Sequence, residues 1–137
     1  MSQDKRISYS HKIRVGESDL DVLNHVNNVV YLQWVNDISE KHWNLLADEE
    51  LRKKYFWVVL RHEIDYLNQA VLGDQIKVVT WVGASKGVRS VRHVEMFIED
   101  GGEIKPLIRA SSTWCLIDAK TLRPTRIRED VLDLLTD

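Results

Sequence analysis

Asp21-Val-Leu-Asn-His25-Val-Asn27-Asn28-Val-Val-Tyr31-Leu-Gln-Trp34 is the stretch across which the chain changes its hydrophobic period. Before it, Ile7, Tyr9, His11, Ile13 and Val15 alternate with Ser8, Ser10, Lys12 and Arg14, and that period of two predicts a half-buried strand. After it, Val30, Tyr31, Trp34, Val35, Ile38, His42, Leu45 and Leu46 recur at three- and four-residue steps. Gln33, Asn36, Asp37, Glu40 and Lys41 fill most of the other face. The pattern predicts an amphipathic helix of about four to five turns, with Asn27 or Asn28 as its N-cap. Gly16 to Asn28, rich in Asp and Asn, reads as the loop between strand and helix.

Downstream of the helix, Asp48 to Lys54 is a charged connector that can prolong it. The period then returns to two, and Phe56, Val58, Leu60, His62, Ile64 and Tyr66 are expected on one face of a second strand. A turn follows over Asn68–Asp74. Ile76 to Ala84 and Val88 to Glu99 read as strands around Ser85-Lys86-Gly87. Asp100-Gly101-Gly102 marks a tight turn, and a long strand runs from Ile104 or Leu107 to Asp118. Arg128 to Leu135 fits a short terminal helix. Short turns impose antiparallel pairing, and a lone long helix must bury its apolar stripe on the resulting sheet. The expectation is an α+β two-layer fold, with residues 1–137 as one domain and no internal repeats or linkers.

Hydrophobic residues make up 44% of the 137-residue chain and charged residues 29%, an ordinary globular balance. A net charge of −2 does not point to nucleic acid or an anionic membrane as the main partner. The single cysteine, Cys115, leaves neither an intramolecular disulfide nor a Cys-based zinc cluster. Met-Ser-Gln-Asp-Lys-Arg leads into no apolar signal region, and no apolar run approaches the roughly 20 residues that span a bilayer. A cytoplasmic protein is expected.

The quoted stretch also carries chemistry. It sets a carboxylate, an imidazole and two amides just before a helix start, where free backbone N–H groups can hold a developing oxyanion. A carboxylate there can attack a carbonyl or activate water. Glu17, Asp19 and Asp21 all lie in the loop, where Asp also serves as an ordinary turn residue. Asn27 and Asn28 serve equally as caps, worth roughly 0.5–2 kcal/mol. A firm cap fixes the same N–H groups that would bind an oxyanion, and one such donor typically contributes about 2.7–4 kcal/mol.

Together the Asp-x-x-x-His-Val-Asn-Asn-x-x-Tyr segment, the helix and the antiparallel sheet resemble the hotdog-fold thioesterases. The nearer branch is that of the acyl-CoA and 4-hydroxybenzoyl-CoA thioesterases. Arg61-His-Glu-Ile-Asp-Tyr66-Leu, Gly73-Asp74, Trp114 and Thr121-Leu-Arg-Pro124 are similar to that family further on, so the resemblance runs from Tyr9 to Leu135. It implies a sheet wrapped around the helix and a homodimer or homotetramer with active sites between subunits. It also implies an acyl-CoA or acyl-ACP substrate cleaved to acid and thiol, with no cofactor and no metal. By position, Asp21 matches the catalytic carboxylate, as nucleophile or general base, with Asp19 a competing register. The backbone N–H near Asn28 matches the group that polarises the thioester carbonyl, with His25 and Asn27 in support. Leu23 departs from the plant acyl-carrier-protein thioesterases, which carry an Asn there.

Other residues admit two readings each. His25 either orients Asp21 or the attacking water, or satisfies a loop carbonyl. Tyr31 and Trp34 line an acyl pocket or belong to the core, with the core favoured. Ser90 is a pocket residue or plain strand polarity. His62 reads as a hydrogen-bonded core residue, and no second His stands at metal-ligand spacing from His25. Cys115 reads as a buried, inert thiol, and no Gly-x-Ser-x-Gly elbow exists. Lys86, Arg89 and Arg92 can meet CoA phosphates at a cleft mouth or be solvated strand ends. A dehydratase acting on 3-hydroxyacyl thioesters and a non-catalytic acyl-binding protein are the alternatives to hydrolysis.

Overall fold

The computed structural model describes residues 8–136, so Ile7 of the first predicted strand lies outside them. In chain order come β1 (Ser8–Arg14), α1 (Asn28–Leu46), α2 (Glu49–Lys54), β2 (Tyr55–Tyr66), β3 (Gln75–Lys86), β4 (Arg89–Asp100), β5 (Glu103–Asp118) and α3 (Glu129–Leu135). A single 3-10 turn, Glu17–Asp19, sits in the predicted loop. Among the described residues five strands form an antiparallel sheet in the order β1-β3-β4-β5-β2, which leaves β1 and β2 as its edges.

Two local features depart from the sequence expectation. The connector after α1 does not prolong it: Ala47 leaves the helical conformation, and Asp48 caps a separate helix by accepting the Leu51 N–H at 2.9 Å. Arg52 of α2 turns back to donate to the carbonyls of Asn44 and Ala47, supplying the cation that the last turn of α1 lacks. In β2, Leu60 is a bulge with no partner on β5. Trp57 opposes Leu116 and His62 opposes Ser112, both on the helix side, so Phe56 and Val58 fall on the opposite face from His62, Ile64 and Tyr66. The expected single face is thus two.

Elsewhere the period of two holds. Ile76, Val78, Thr80 and Val82 of β3 and Ser90, Arg92, Val94 and Met96 of β4 all point into the molecule and are buried. The apolar core falls into two groups. Tyr31, Trp34, Val35 and Ile38 pack on Ile76, Val78, Val94, Met96 and Ile108. Trp43 and Ala47 pack on Val82, Leu116, Ile127, Val131 and Leu135. Each fully buried aliphatic side chain contributes about 1.5–3 kcal/mol. Between the groups runs a belt of buried polar residues: Ser39 and His42 of α1, Thr80, Ser90, Arg92 and Ser112.

Candidate active site at the start of the long helix

Residues 19–27 fold back on themselves. Asp21 donates its N–H to His25 O at 2.8 Å and Asn27 donates to Asp19 O at 2.9 Å, while Leu20 bridges Val26. Asn24 turns the corner at φ 62°, a left-handed conformation that asparagine tolerates. Buried Val26 anchors this small hairpin by donating to Ala70 O. Inside the turn, the Asp21 carboxylate accepts the N–H of Leu23 at 2.9 Å and of His25 at 3.2 Å, both on Oδ1. Its Oδ2 has no partner among the described residues.

Asn27, not Asn28, is the cap. Its side chain accepts the Val29 N–H at 3.0 Å, and its carbonyl accepts those of Val30 and Tyr31. The Asn28 N–H is left without a partner among the described residues. Asp21, His25, Asn27, Asn28 and Tyr31 line one cleft of about 580 Å³, closed on the far side by residues 66–69 at the end of β2. Tyr66 Oη donates to Asn28 O at 3.3 Å and so ties the two walls together. His25 Nδ1 is buried there without a hydrogen-bond partner. Burial raises the pKa of the Tyr31 hydroxyl.

Asp19 has another use. Its Oδ2 accepts the Gly16 N–H at 2.9 Å and closes the 3-10 turn, and it does not line the cleft. Leu23 is exposed and brings no amide side chain to Asp21; its backbone N–H holds the carboxylate instead. A dehydratase arrangement sets a histidine and an acid across a cleft from one another. Here the His25 backbone is bonded to the Asp21 carboxylate within one loop.

The remaining expected site residues lie apart. Trp34 is a core residue, edge-on to Tyr31 at 5.6 Å, and is absent from the cleft wall. Ser90 is buried in a different chamber, 2.8 Å from the Ser85 hydroxyl. Arg92 is not at a cleft mouth with Lys86 and Arg89, which are exposed at the β3–β4 hairpin. The period of β4 turns it inward, where its Nη1 donates to His42 Nδ1 at 2.8 Å and to Thr80 Oγ1 at 3.1 Å. Burial and the neighbouring Arg92 charge depress the His42 pKa to about 4, and burial brings that of Arg92 down to about 10. His62 is hydrogen-bonded, its Nδ1 lying 2.6 Å from Ser112 Oγ, and Cys115 is buried. The cleft residues that the sequence reading missed, residues 66–69, are brought in by the fold rather than by spacing.

Residues 5–135 match the family model of the acyl-ACP thioesterase N-terminal domain. A chloroplastic acyl-[acyl-carrier-protein] hydrolase of Cuphea viscosissima is 32% identical over 95 residues, 65% of this chain and 22% of that protein. A chloroplastic palmitoyl-acyl carrier protein thioesterase of Arabidopsis thaliana is 32% identical over 83 residues, 61% of this chain and 20% of that protein. The chain therefore spans about a fifth of the length of these curated relatives. Among solved structures, a 4-hydroxybenzoyl-CoA thioesterase mutant complexed with 4-hydroxybenzoyl-CoA superposes with a TM-score of 0.84 at 14% identity, covering 94% of this chain and 99% of that one. The 12:0-ACP thioesterase of Umbellularia californica gives 0.78 at 20% identity, covering 95% and 51%. These likenesses are of fold, the hotdog arrangement of one long helix on a five-stranded antiparallel sheet. From the match over nearly all its residues, the chain belongs to the acyl-ACP thioesterase N-terminal domain family.

Proposed function

We propose that the protein hydrolyses acyl thioesters, on acyl-CoA or acyl-ACP, to the free acid and thiol. One observation carries the proposal: Asp21 and Asn28, whose N–H is open, line the same cleft at the start of α1. With Oδ1 fixed by two backbone donors, Oδ2 is the oxygen free to react. It either attacks the thioester carbon, releasing thiol and leaving a mixed anhydride that water opens, or takes the proton of an attacking water. Both routes put negative charge on the thioester oxygen, which the Asn28 N–H at the positive end of α1 can hold. His25, with an unpaired ring nitrogen in the cleft, orients the carboxylate or the water. The chemistry calls for no cofactor or metal.

The working unit in this proposal is a homodimer or homotetramer. The unpaired edge strand β2 and the cleft rim expose Leu60, Tyr66, Leu67, Val22, Leu23 and Val29, a concentration of apolar surface that a second copy would cover.

Thiol release across a panel of acyl-CoAs and acyl-ACPs tests the activity, with Asp21→Asn as control. Asparagine keeps an oxygen for the Leu23 and His25 N–H groups, so the loop survives while the charge is lost. The rate is expected to fall at least about a hundredfold. A folded Asp21→Asn protein with nearly full activity, or a wild type that binds acyl thioesters without releasing thiol, would overturn the proposal.

A further inference from the structure

Along α1 from the Asp21 cleft, a separate chamber of about 330 Å³ opens between the second half of the helix and the sheet. The two cavities share no residue. Trp43, Trp57 and Trp114 supply much of the chamber's apolar wall, and Arg92, Ser39 and Asn36 stand among its polar residues. Arg92 is only 6% exposed, yet among the described residues no carboxylate pairs with it. Its hydrogen-bond partners, His42 and Thr80, are neutral and both sit on Nη1. Glu40, the acid on the chamber wall, is exposed and forms no ion pair with it. Arg52, the other cation there, is engaged with the carbonyls of Asn44 and Ala47.

Two residues of the wall also carry unsatisfied groups: Trp114 Nε1 and Asn36 Oδ1 are buried without hydrogen-bond partners. An indole N–H can only donate, and an amide offers its donor end by a half-turn of the side chain. Ser90 opposes Trp114 and Arg92 opposes Ser112, so indole and guanidinium are diagonal neighbours on the inward face, roughly 7–8 Å apart at the backbone. A buried guanidinium without an anion is costly, and an aromatic chamber whose wall carries that charge beside an unpaired indole calls for an acceptor that carries one negative charge. We infer that this chamber binds a monocarboxylate with an apolar body, its carboxylate on Arg92 and Trp114 and its body among the tryptophans. An unesterified acid of this kind is also the class of product that the proposed hydrolysis releases. That link rests on the proposed activity, whereas the site does not.

Octanoate and phenylacetate, set against octanamide and phenylacetamide, test it by calorimetry and tryptophan fluorescence on the wild-type protein. The acids are expected to bind at least about tenfold more tightly than the amides, as a charge-assisted contact requires. Arg92→Gln should erase that preference, and Trp114→Phe should weaken acid binding several-fold. Asp21→Asn should keep octanoate binding while losing thiol release, which separates failure of this site from failure of the activity. Equal binding of acid and amide, no octanoate binding at millimolar concentration, loss of octanoate binding in Asp21→Asn, or a folded Arg92→Gln that keeps the preference would each overturn the inference. If Arg92→Gln does not fold, the acid–amide comparison in wild type and Trp114→Phe decides.

Discussion

The two ends of α1 are built on opposite principles. At the N-terminal end, residues 19–28 fold around one another, and backbone N–H groups hold the Asp21 carboxylate. At the other end, the chamber takes residues from α1, α2, α3, β2, β3, β4 and β5, and its buried guanidinium has only neutral hydrogen-bond partners. Backbone donors come with the fold and cost nothing extra to place. A buried guanidinium depends on every neighbour being in position, and on those neighbours staying uncharged. The first site should therefore respond to changes in its own loop, and the second to changes in proton concentration and in distant packing.

The largest expected effect is on that second end. His42 accepts from Arg92 and must be neutral to do so, with a pKa near 4 in the folded protein against 6.5 ordinarily. Its folded pKa is the lower one, so its contribution is complete above pH 6.5. As pH falls from 6.5 toward 4 the unfolded chain takes up a proton that the folded protein refuses, and stability is lost. The full shift corresponds to about 3 kcal/mol. His11 and His62, also depressed mainly by burial, act in the same direction. His42→Gln keeps an acceptor for Arg92 and removes the titration, so its urea midpoint should fall much less over this pH window than that of the wild type. Parallel pH profiles would break the contrast between the two ends.

That contrast also explains what the sequence could and could not reveal. The change of period at residues 21–34, the turn at Gly101-Gly102 and the antiparallel pairing of β3, β4 and β5 across short turns were legible because each is set by neighbouring residues. So was the cleft's near wall, Asp21 to Tyr31, which is one continuous segment. Leu60 was not: Phe56, Val58, Leu60 and His62 alternate without interruption, and the bulge exists only in the pairing with β5. Arg92 shows the same limit from the other side. Its place in the alternation of β4 points inward, but a cation near a hairpin reads as solvated unless His42 and Thr80, 50 and 12 residues away, are known to meet it.

A smaller effect tests whether the first end depends on its own loop. Asn27→Ala removes the side-chain acceptor for the Val29 N–H and should lower stability by about 1 kcal/mol, read as a lower urea midpoint. Asn27→Asp keeps that acceptor and should restore the midpoint. Thiol release should follow the same order, because the cap fixes the direction of the Asn28 N–H. A midpoint unchanged in Asn27→Ala would mean that packing of Tyr31 and Trp34, not the cap, sets where the helix begins.

The smallest effect separates two left-handed residues, one at each end. Asn24 turns the cleft hairpin at φ 62°, and Leu122 turns the segment after β5 at φ 59°. The second turn is held by the Asp118 carboxylate, which accepts the N–H groups of Lys120 and Thr121, and by Leu122 N–H on Asp118 O. It sends the chain back so that Ile127, Val131 and Leu135 pack with Trp43, Val82 and Leu116, and Leu135 reaches the chamber wall. Asparagine is at ease in this conformation, whereas an exposed leucine gains no packing to offset the clash of its Cβ with the backbone. Leu122→Gly should therefore stabilise the protein by about 0.5–1 kcal/mol, and Asn24→Gly should change it little. A Leu122→Gly midpoint at or below that of the wild type would show that the leucine is held there by a contact stronger than its backbone strain.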